Sequence, residues 1–317
     1  MSKNKQSDSI VLVTGATGFL GAEVCKRLVA LGHQIVGVGR KRYGFLPEKI
    51  LKNNNFHFIQ LELKNLDEKM LENFNITSCI HLASMVEYAS HDYHDYHDYH
   101  DYHDYTITPT LNLLRFAKNT KMKKIIYSST SSVITKPSPS ITTDEETPVS
   151  PMSNYGLSKY ICEKLLEIEC QKNRDLTCIA LRFPAIYGKN HLGGIVHTLK
   201  EEAINNKKIE LYGEGKYLRN ILYVQDAVDA IVLALESNIQ GYSLFNIGAK
   251  SSLSVLEIAQ ELIKLLDSES KIELNQKISP NNFNTFLDLS KAQNVLKFQP
   301  RDIQEGLKLY VQDLKGE

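Results

Sequence analysis

Eleven residues near the start of the chain, Val11-Leu12-Val13-Thr14-Gly15-Ala16-Thr17-Gly18-Phe19-Leu20-Gly21, constrain its fold more than any other stretch. The apolar run Ile10 to Val13 reads as a buried strand. Three glycines follow, and then Leu20, Val24 and Leu28 recur at helical spacing. Strand, glycine turn and helix in that order put a pyrophosphate against a helix N-terminus. Gly15 permits the tight turn. Gly18 removes a side chain where phosphates must approach, and Gly21 lets the helix pack close to the strand. Gly15, Thr17, Gly18, Phe19, Leu20 and Gly21 are therefore candidate dinucleotide contacts, in a GxxGxxG spacing that varies the usual GxGxxG pattern.

Thr14 to Gly21 also resembles the fingerprint of the extended short-chain dehydrogenase/reductases, which include nucleotide-sugar epimerases, dehydratases and 4-keto reductases. The resemblance implies an α/β fold with a Rossmann-type doubly wound parallel sheet and a smaller C-terminal substrate domain. It divides the chain into a dinucleotide-binding part, 1–183, and a mainly substrate-binding part, 184–317, with about 219–240 returning to the first.

Bulk properties agree with a globular enzyme. The 317 residues suit one large domain or two intimate ones, and 42% hydrophobic content supplies a core. Lys plus Arg and Asp plus Glu balance at 37 each, with no long basic run, so neither nucleic acid nor an acidic membrane surface is an expected partner. Residues 1–9 are polar and do not read as a signal peptide, and no stretch reaches the length of a membrane span. Five cysteines without a CxxC pair fit free thiols in a reducing cytoplasm.

Gln34 to Val38 reads as the second strand. Dinucleotide folds that prefer NAD place an acid at its end to hold the adenine ribose hydroxyls. Here Gly39 stands there, followed by Arg40, Lys41 and Arg42. The missing acid removes repulsion against a 2′-phosphate that Arg40 can pair with, which tilts the cofactor from NAD toward NADP. Phe56 to Leu61 is the third strand. By resemblance Glu62 and Leu63 follow it at the adenine, and Leu82, Ala83 and Ser84, closing the fourth strand that begins near Ser78, pass under the cofactor ribose. His81, in an apolar strand, reads as a packed, hydrogen-bonded histidine.

Residues 91–105 repeat the triplet His-Asp-Tyr five times. A period of three drifts around an α-helix, so the histidines do not line one face and a metal tract is disfavoured. By resemblance the repeat replaces a helix near the substrate mouth and the homodimer face, with Thr106 where the family carries Asn. Leu111, Leu114 and Ala117 continue as a helix that ends in the basic run Lys118 to Lys124, and a fifth strand, Ile125 to Ser129, runs into the hydroxyl cluster Thr130-Ser131-Ser132. Open α/β sheets place their chemistry at such ends. Residues 136–151 form a loop rich in Pro, Ser and Thr.

Ser153 to Gln171 reads as a helix whose apolar stripe is Leu157, Ile161, Leu165 and Ile168. Tyr155 and Lys159, four apart, share a face. This is the Tyr-x-x-x-Lys pattern of the short-chain dehydrogenases, in the right order after the glycine turn and the hydroxyl strand end. Removing hydride from a sugar alcohol requires taking its hydroxyl proton. A tyrosine with a pKa near 10 is a poor base at neutral pH, and a lysine cation beside it favours the phenolate. The resemblance assigns catalysis to Thr130, Tyr155 and Lys159, gives Lys159 a bond to the nicotinamide ribose, and sets Pro184, after a sixth strand at Leu176 to Leu181, beside the nicotinamide. Ala185 stands where many nucleotide-sugar members carry Asn.

Further on, Arg219 to Asp226 resembles the family's R-D-x-x-x-V-x-D segment. Arg219 is the candidate for a nucleotide-sugar diphosphate, since a guanidinium fork suits phosphate oxygens. Asp226 is expected to cap the helix Ala227 to Leu235, and Ser254 with Glu257 forms a capping box. The sequence leaves two reactions open: a C4 epimerase and an NADPH-dependent 4-keto reductase. Dehydration is disfavoured because Ser131 and Ser132 replace the Asp-Glu of the 4,6-dehydratases. A hydroxysteroid-type dehydrogenase shares the triad, but Arg219 favours a diphosphate substrate. A silent NADP-binding sensor is disfavoured by the intact Thr130, Tyr155 and Lys159.

Overall fold

The first five strands of the chain each end at the same edge of one sheet, and that edge carries most of the candidate residues. The computed structural model describes residues 9–41, 44–85, 98–134, 142–277 and 284–316. Expectations about Arg42, the first two repeat copies and residues 136–141 lie outside these.

The strands are β1 (Ile10–Thr14), β2 (Gln34–Gly39), β3 (Phe56–Gln60), β4 (Ile76–His81), β5 (Lys124–Thr130), β6 (Thr177–Phe183), β7 (Ala185–Tyr187), β8 (Ile209–Tyr212), β9 (Leu218–Arg219), β10 (Ile221–Tyr223), β11 (Tyr242–Asn246), β12 (Leu253–Ser254) and β13 (Ile272–Asn275). The helices are α1 (Phe19–Ala30), α2 (Glu48–Leu51), α3 (Tyr99–Tyr102), α4 (Thr108–Asn119), α5 (Asn154–Lys172), α6 (Gly194–Ile204), α7 (Val224–Glu236), α8 (Val255–Leu265) and α9 (Ile303–Lys315). The main sheet is parallel, in the order β3-β2-β1-β4-β5-β6-β11. Its order reverses between β1 and β4, the topological switch point where such sheets bind ligands.

Local sequence explains the elements. β6 is buried along all seven residues, the continuous pattern of a strand covered on both faces. On one face α1 and α7 pack over Val13, Ile80, Ile126 and Leu181; on the other α4 and α5 pack over Leu12, Cys79, Ile125 and Ala180. Alternate residues of each strand thus feed two cores. A third core, built from β7, β10, α6, α8 and α9, centres on Tyr187, Leu199, Ile221, Ile258 and Leu307.

Two expectations are corrected. Asp226 does not cap a helix: α7 begins at Val224 with Tyr223 at its N-cap. Asp226 lies buried in the first turn and pairs with Arg301, 75 residues on. A long-range ion pair satisfies the carboxylate in place of the local cap. The stripe of α5 is also turned around. Its buried face is Gly156, Ser158, Lys159, Cys162, Glu163, Leu166 and Cys170, whereas Leu157 and Ile168 are exposed. The polar side faces inward because Glu163 finds Arg182 there: Arg182 donates from Nε and Nη2 to the two Glu163 oxygens at 2.9 and 2.8 Å, and Ser129 donates to the same carboxylate.

Candidate active site

The glycine turn has the shape a pyrophosphate requires. Gly15 has φ +68°, and a Cβ there would come within 2.9 Å of the Ala83 nitrogen. A Cβ on Gly21 would land on the Gly15 carbonyl, so only glycine lets α1 approach. Gly18 is exposed and forms the N-cap of α1 with no side-chain cap. The first N–H groups of α1, at Phe19, Leu20 and Gly21, are thus left for an anion. A dinucleotide's phosphates fit this cradle. His191 stacks on Phe19 with ring centroids 4.9 Å apart, bringing a residue from beyond β7 to the same turn.

The remaining candidates lie along the sheet's C-terminal edge. Arg40 follows β2, and Glu62 and Leu63 follow β3. Leu82, Ala83 and Ser84 follow β4, Thr130 ends β5, and Pro184 joins β6 to β7. Thr14 ties the turn to the β4 end: its Oγ1 accepts from the Leu82 and Ala83 nitrogens at 3.1 and 3.2 Å. Those two bonds leave the Thr14 hydroxyl hydrogen for His81 Nδ1 at 2.7 Å. The Thr110 hydroxyl, which donates to the Thr106 carbonyl, lies 3.1 Å from His81 Nε2. That network assigns the proton to Nε2. Burial, with the Lys159 charge, lowers the His81 pKa to about 3, so the ring is a neutral structural bridge.

Tyr155 and Lys159 stand in the first turns of α5, which packs against β5, the strand that Thr130 ends. Ser153 caps α5, accepting from the Gly156 nitrogen at 3.1 Å. Gly156 is a residue that sequence reasoning missed: a Cβ there would lie 2.6 Å from the Ser132 carbonyl. This glycine therefore lets the first turn of α5, with Tyr155, close onto the end of β5. Its signal was a glycine inside a helical stretch, which costs about 1 kcal/mol and needs a reason. Thr130 Oγ1 accepts from the Ser132 nitrogen at 3.1 Å and keeps its own O–H to donate.

Lys159 is 2% exposed. Its ammonium donates to the Ser128 carbonyl at 2.7 Å and lies 5.9 Å from the Tyr155 ring centroid and 4.9 Å from that of Tyr127. Two of its three donors remain for other partners. Burial lowers its pKa from 10.5 to about 8, while Cys162 and Glu163 oppose the shift. The buried Glu163–Arg182 pair one turn along is the second feature missed; its signal was two charges inside otherwise apolar stretches. Arg219 lies outside the main sheet, in the pair β9–β12 opposite Leu253, with burial lowering its pKa.

The comparisons agree with this geometry. The model of the NAD dependent epimerase/dehydratase family matches residues 11–248. The chain is 28% identical to the UDP-N-acetyl-alpha-D-glucosaminuronate decarboxylase of Bacillus cytotoxicus, covering 95% of this chain and 96% of that protein. It is 29% identical to the UDP-glucuronate 4-epimerase of Thermodesulfobacterium geofontis, covering 94% and 93%. Among solved structures, the UDP-glucuronic acid 4-epimerase of Bacillus cereus in complex with UDP-glucuronic acid and NAD superposes with a TM-score of 0.83 at 27% identity, covering 97% and 99%. With the glycine cradle, the switch-point sheet and the Tyr155–Lys159 turn in place, the chain belongs to the NAD dependent epimerase/dehydratase family and is an NAD(P)-dependent enzyme of the extended short-chain dehydrogenase type.

Proposed function

We propose that this enzyme is a nucleotide-sugar C4 epimerase with Tyr155 as its acid/base. The observation that carries the reading is the buried Lys159 ammonium, 5.9 Å from the Tyr155 ring and one helical turn from it, at the strand end that presents Thr130. NAD(P), when bound along Gly15 to Gly21, supplies a carbon that accepts a hydride and gives it back. Tyr155, as phenolate stabilised by the neighbouring ammonium, takes the proton of the sugar 4-hydroxyl. Thr130 hydrogen-bonds the same oxygen. Lys159 keeps its cation against the Ser128 carbonyl and reaches the nicotinamide ribose with a remaining donor. After the keto-sugar turns over, Tyr155 returns the proton. Arg219 is the proposed diphosphate contact, and Pro184, Glu62, Leu63, Leu82, Ala83 and Ser84 line the dinucleotide.

Incubating the purified protein with UDP-glucuronate or UDP-glucose and following the anomeric region by NMR tests this. The expected product is the C4 epimer, absent from Tyr155→Phe. Release of carbon dioxide from UDP-glucuronate would replace epimerisation by decarboxylation.

A second reading, an NADPH-dependent 4-keto reductase, is favoured by one observation: β2 ends at Gly39 with Arg40 next, and no acid stands there to hold ribose hydroxyls. The same feature is the ground for a modest NADP preference. Denaturing the purified protein separates the two: tightly held NAD supports the epimerase, and an empty site that fills with NADPH supports the reductase.

We also infer a homodimer. Leu111 on α4 and Leu157 and Ile168 on α5 leave 44%, 37% and 45% of their surface exposed, an apolar face that a second copy would cover. Light scattering at the dimer mass is the expected result, and a monomer would count against it. Free, buried thiols at all five cysteines support a cytoplasmic setting.

A further inference from the structure

The His-Asp-Tyr repeat is a sequence feature that the reaction above does not use, and its last two copies lie beside Tyr155 and Arg40. Tyr102, 3% exposed, packs its ring against that of Tyr155, with centroids 6.4 Å apart. One copy later the helix widens into a π-type turn over His103–Ile107, and Tyr105 faces elsewhere. The drift of a three-residue period around a helix sends successive tyrosines to different neighbours. Tyr105 meets two cations from two other elements: the Arg40 guanidinium carbon lies 5.2 Å from its ring centroid and the Lys64 ammonium 4.6 Å. Lys64 also donates to the Tyr105 hydroxyl at 3.3 Å.

All three residues have a fixed footing. Gln60 donates to the Arg40 carbonyl at 3.1 Å. Asn112 of α4 donates to the Leu63 and Lys64 carbonyls at 3.0 and 2.9 Å. Thr106, fully buried beside Tyr105, accepts from the Met85 nitrogen. The corner lies beyond the C-terminal ends of β2 and β3, where a dinucleotide's adenine ribose falls. Asp104, from the same repeat copy, lies 3.5 Å from the Lys64 ammonium, and Glu62 adds a more distant negative charge.

We propose that the last repeat copy sets the dinucleotide selectivity of this enzyme: Tyr105 holds Arg40 and Lys64 where a ribose 2′-phosphate falls, and Asp104 draws one of those charges away. Tyr105 is a positioning residue and acts through the cations stacked on its ring. The two residues of one triplet therefore work in opposite directions on the same phosphate. The proposal rests on the dinucleotide reading of the glycine turn and deepens it.

Titration calorimetry of the full chain with adenosine 2′,5′-bisphosphate and with AMP tests the clamp, because these probes differ only in the 2′-phosphate. Wild type should prefer the bisphosphate. Tyr105→Ala should lower that preference about tenfold, and Tyr105→Phe, which keeps the ring, should hold it within about twofold. Asp104→Asn should raise it about threefold. An unchanged preference in Tyr105→Ala, or a shift in the same direction from both variants, would overturn the proposal. Should Tyr105→Ala fold poorly, Asp104→Asn at a half-exposed position decides alone, and no rise overturns the clamp. A wild type that takes AMP as tightly as the bisphosphate overturns the clamp and leaves the dinucleotide site standing. One that takes neither probe overturns both.

Discussion

Tyr155 and Tyr105 each lie near a lysine ammonium, and the two lysines are pushed in opposite directions. At the end of β5, Lys159 sits 5.9 Å from the Tyr155 ring, and burial lowers its pKa to about 8. Beyond the ends of β2 and β3, Lys64 sits 4.6 Å from the Tyr105 ring, and its hydrogen bond to that tyrosine raises its pKa. The residue types are the same; the solvent is not. Lys159 is almost inaccessible, whereas Lys64 keeps 27% of its side-chain surface. Desolvation poises the first lysine near neutral pH, where it can respond to a proton leaving its neighbour. Water leaves the second a permanent cation, suited to hold a permanent anion.

The largest effect should come from breaking the Tyr155–Lys159 pair. Tyr155→Phe is expected to lower turnover by about 1,000-fold while NAD still binds, because a positioned acid/base contributes on that order. Full activity in that variant would remove the mechanism. Next comes the charge pair beneath it. Glu163→Gln leaves the Arg182 guanidinium buried without its carboxylate, and a loss of about 3 kcal/mol in urea unfolding is expected. A loss below about 1 kcal/mol would mean that water or another group replaces the carboxylate.

Proton linkage sharpens the contrast. The folded Lys159 pKa of about 8 lies below the ordinary 10.5, so between those values the unfolded chain binds more protons. Stability from this group therefore rises with pH across the window, while the ammonium that supports the phenolate is lost. Activity should fall above about pH 8. The denaturant midpoint of wild type, taken relative to Lys159→Met, should rise over the same range. No such opposition is expected for Lys64→Met. The smallest effect belongs to the exposed end: Arg40→Ala should weaken NADP about fivefold and NAD less than twofold by fluorescence titration. Equal losses would refute a 2′-phosphate role.

Much of the Tyr155 end was legible from local spacing. Gly15 and Gly21 announce a turn and a close approach, and Tyr155 and Lys159 fall four apart on a helix. His81 reads correctly as a packed residue because an ionisable ring in an apolar strand must be satisfied there. The inward face of α5 was not legible. Leu157, Ile161, Leu165 and Ile168 form a sound apolar stripe, yet the helix buries Lys159 and Glu163 instead. Asp226 was misread for the same reason.

The sequence alone determined what depends on neighbours along the chain: strand, turn and helix at residues 10–30, the shared face of Tyr155 and Lys159, and the capping box at Ser254 and Glu257. The tertiary structure decided what depends on distant partners: Glu163 with Arg182, Asp226 with Arg301, and Tyr105 with Arg40 and Lys64. Hydrophobic periodicity records which residues can leave water. Where a charge can be buried depends on a counter-charge that only folding brings within hydrogen-bonding distance.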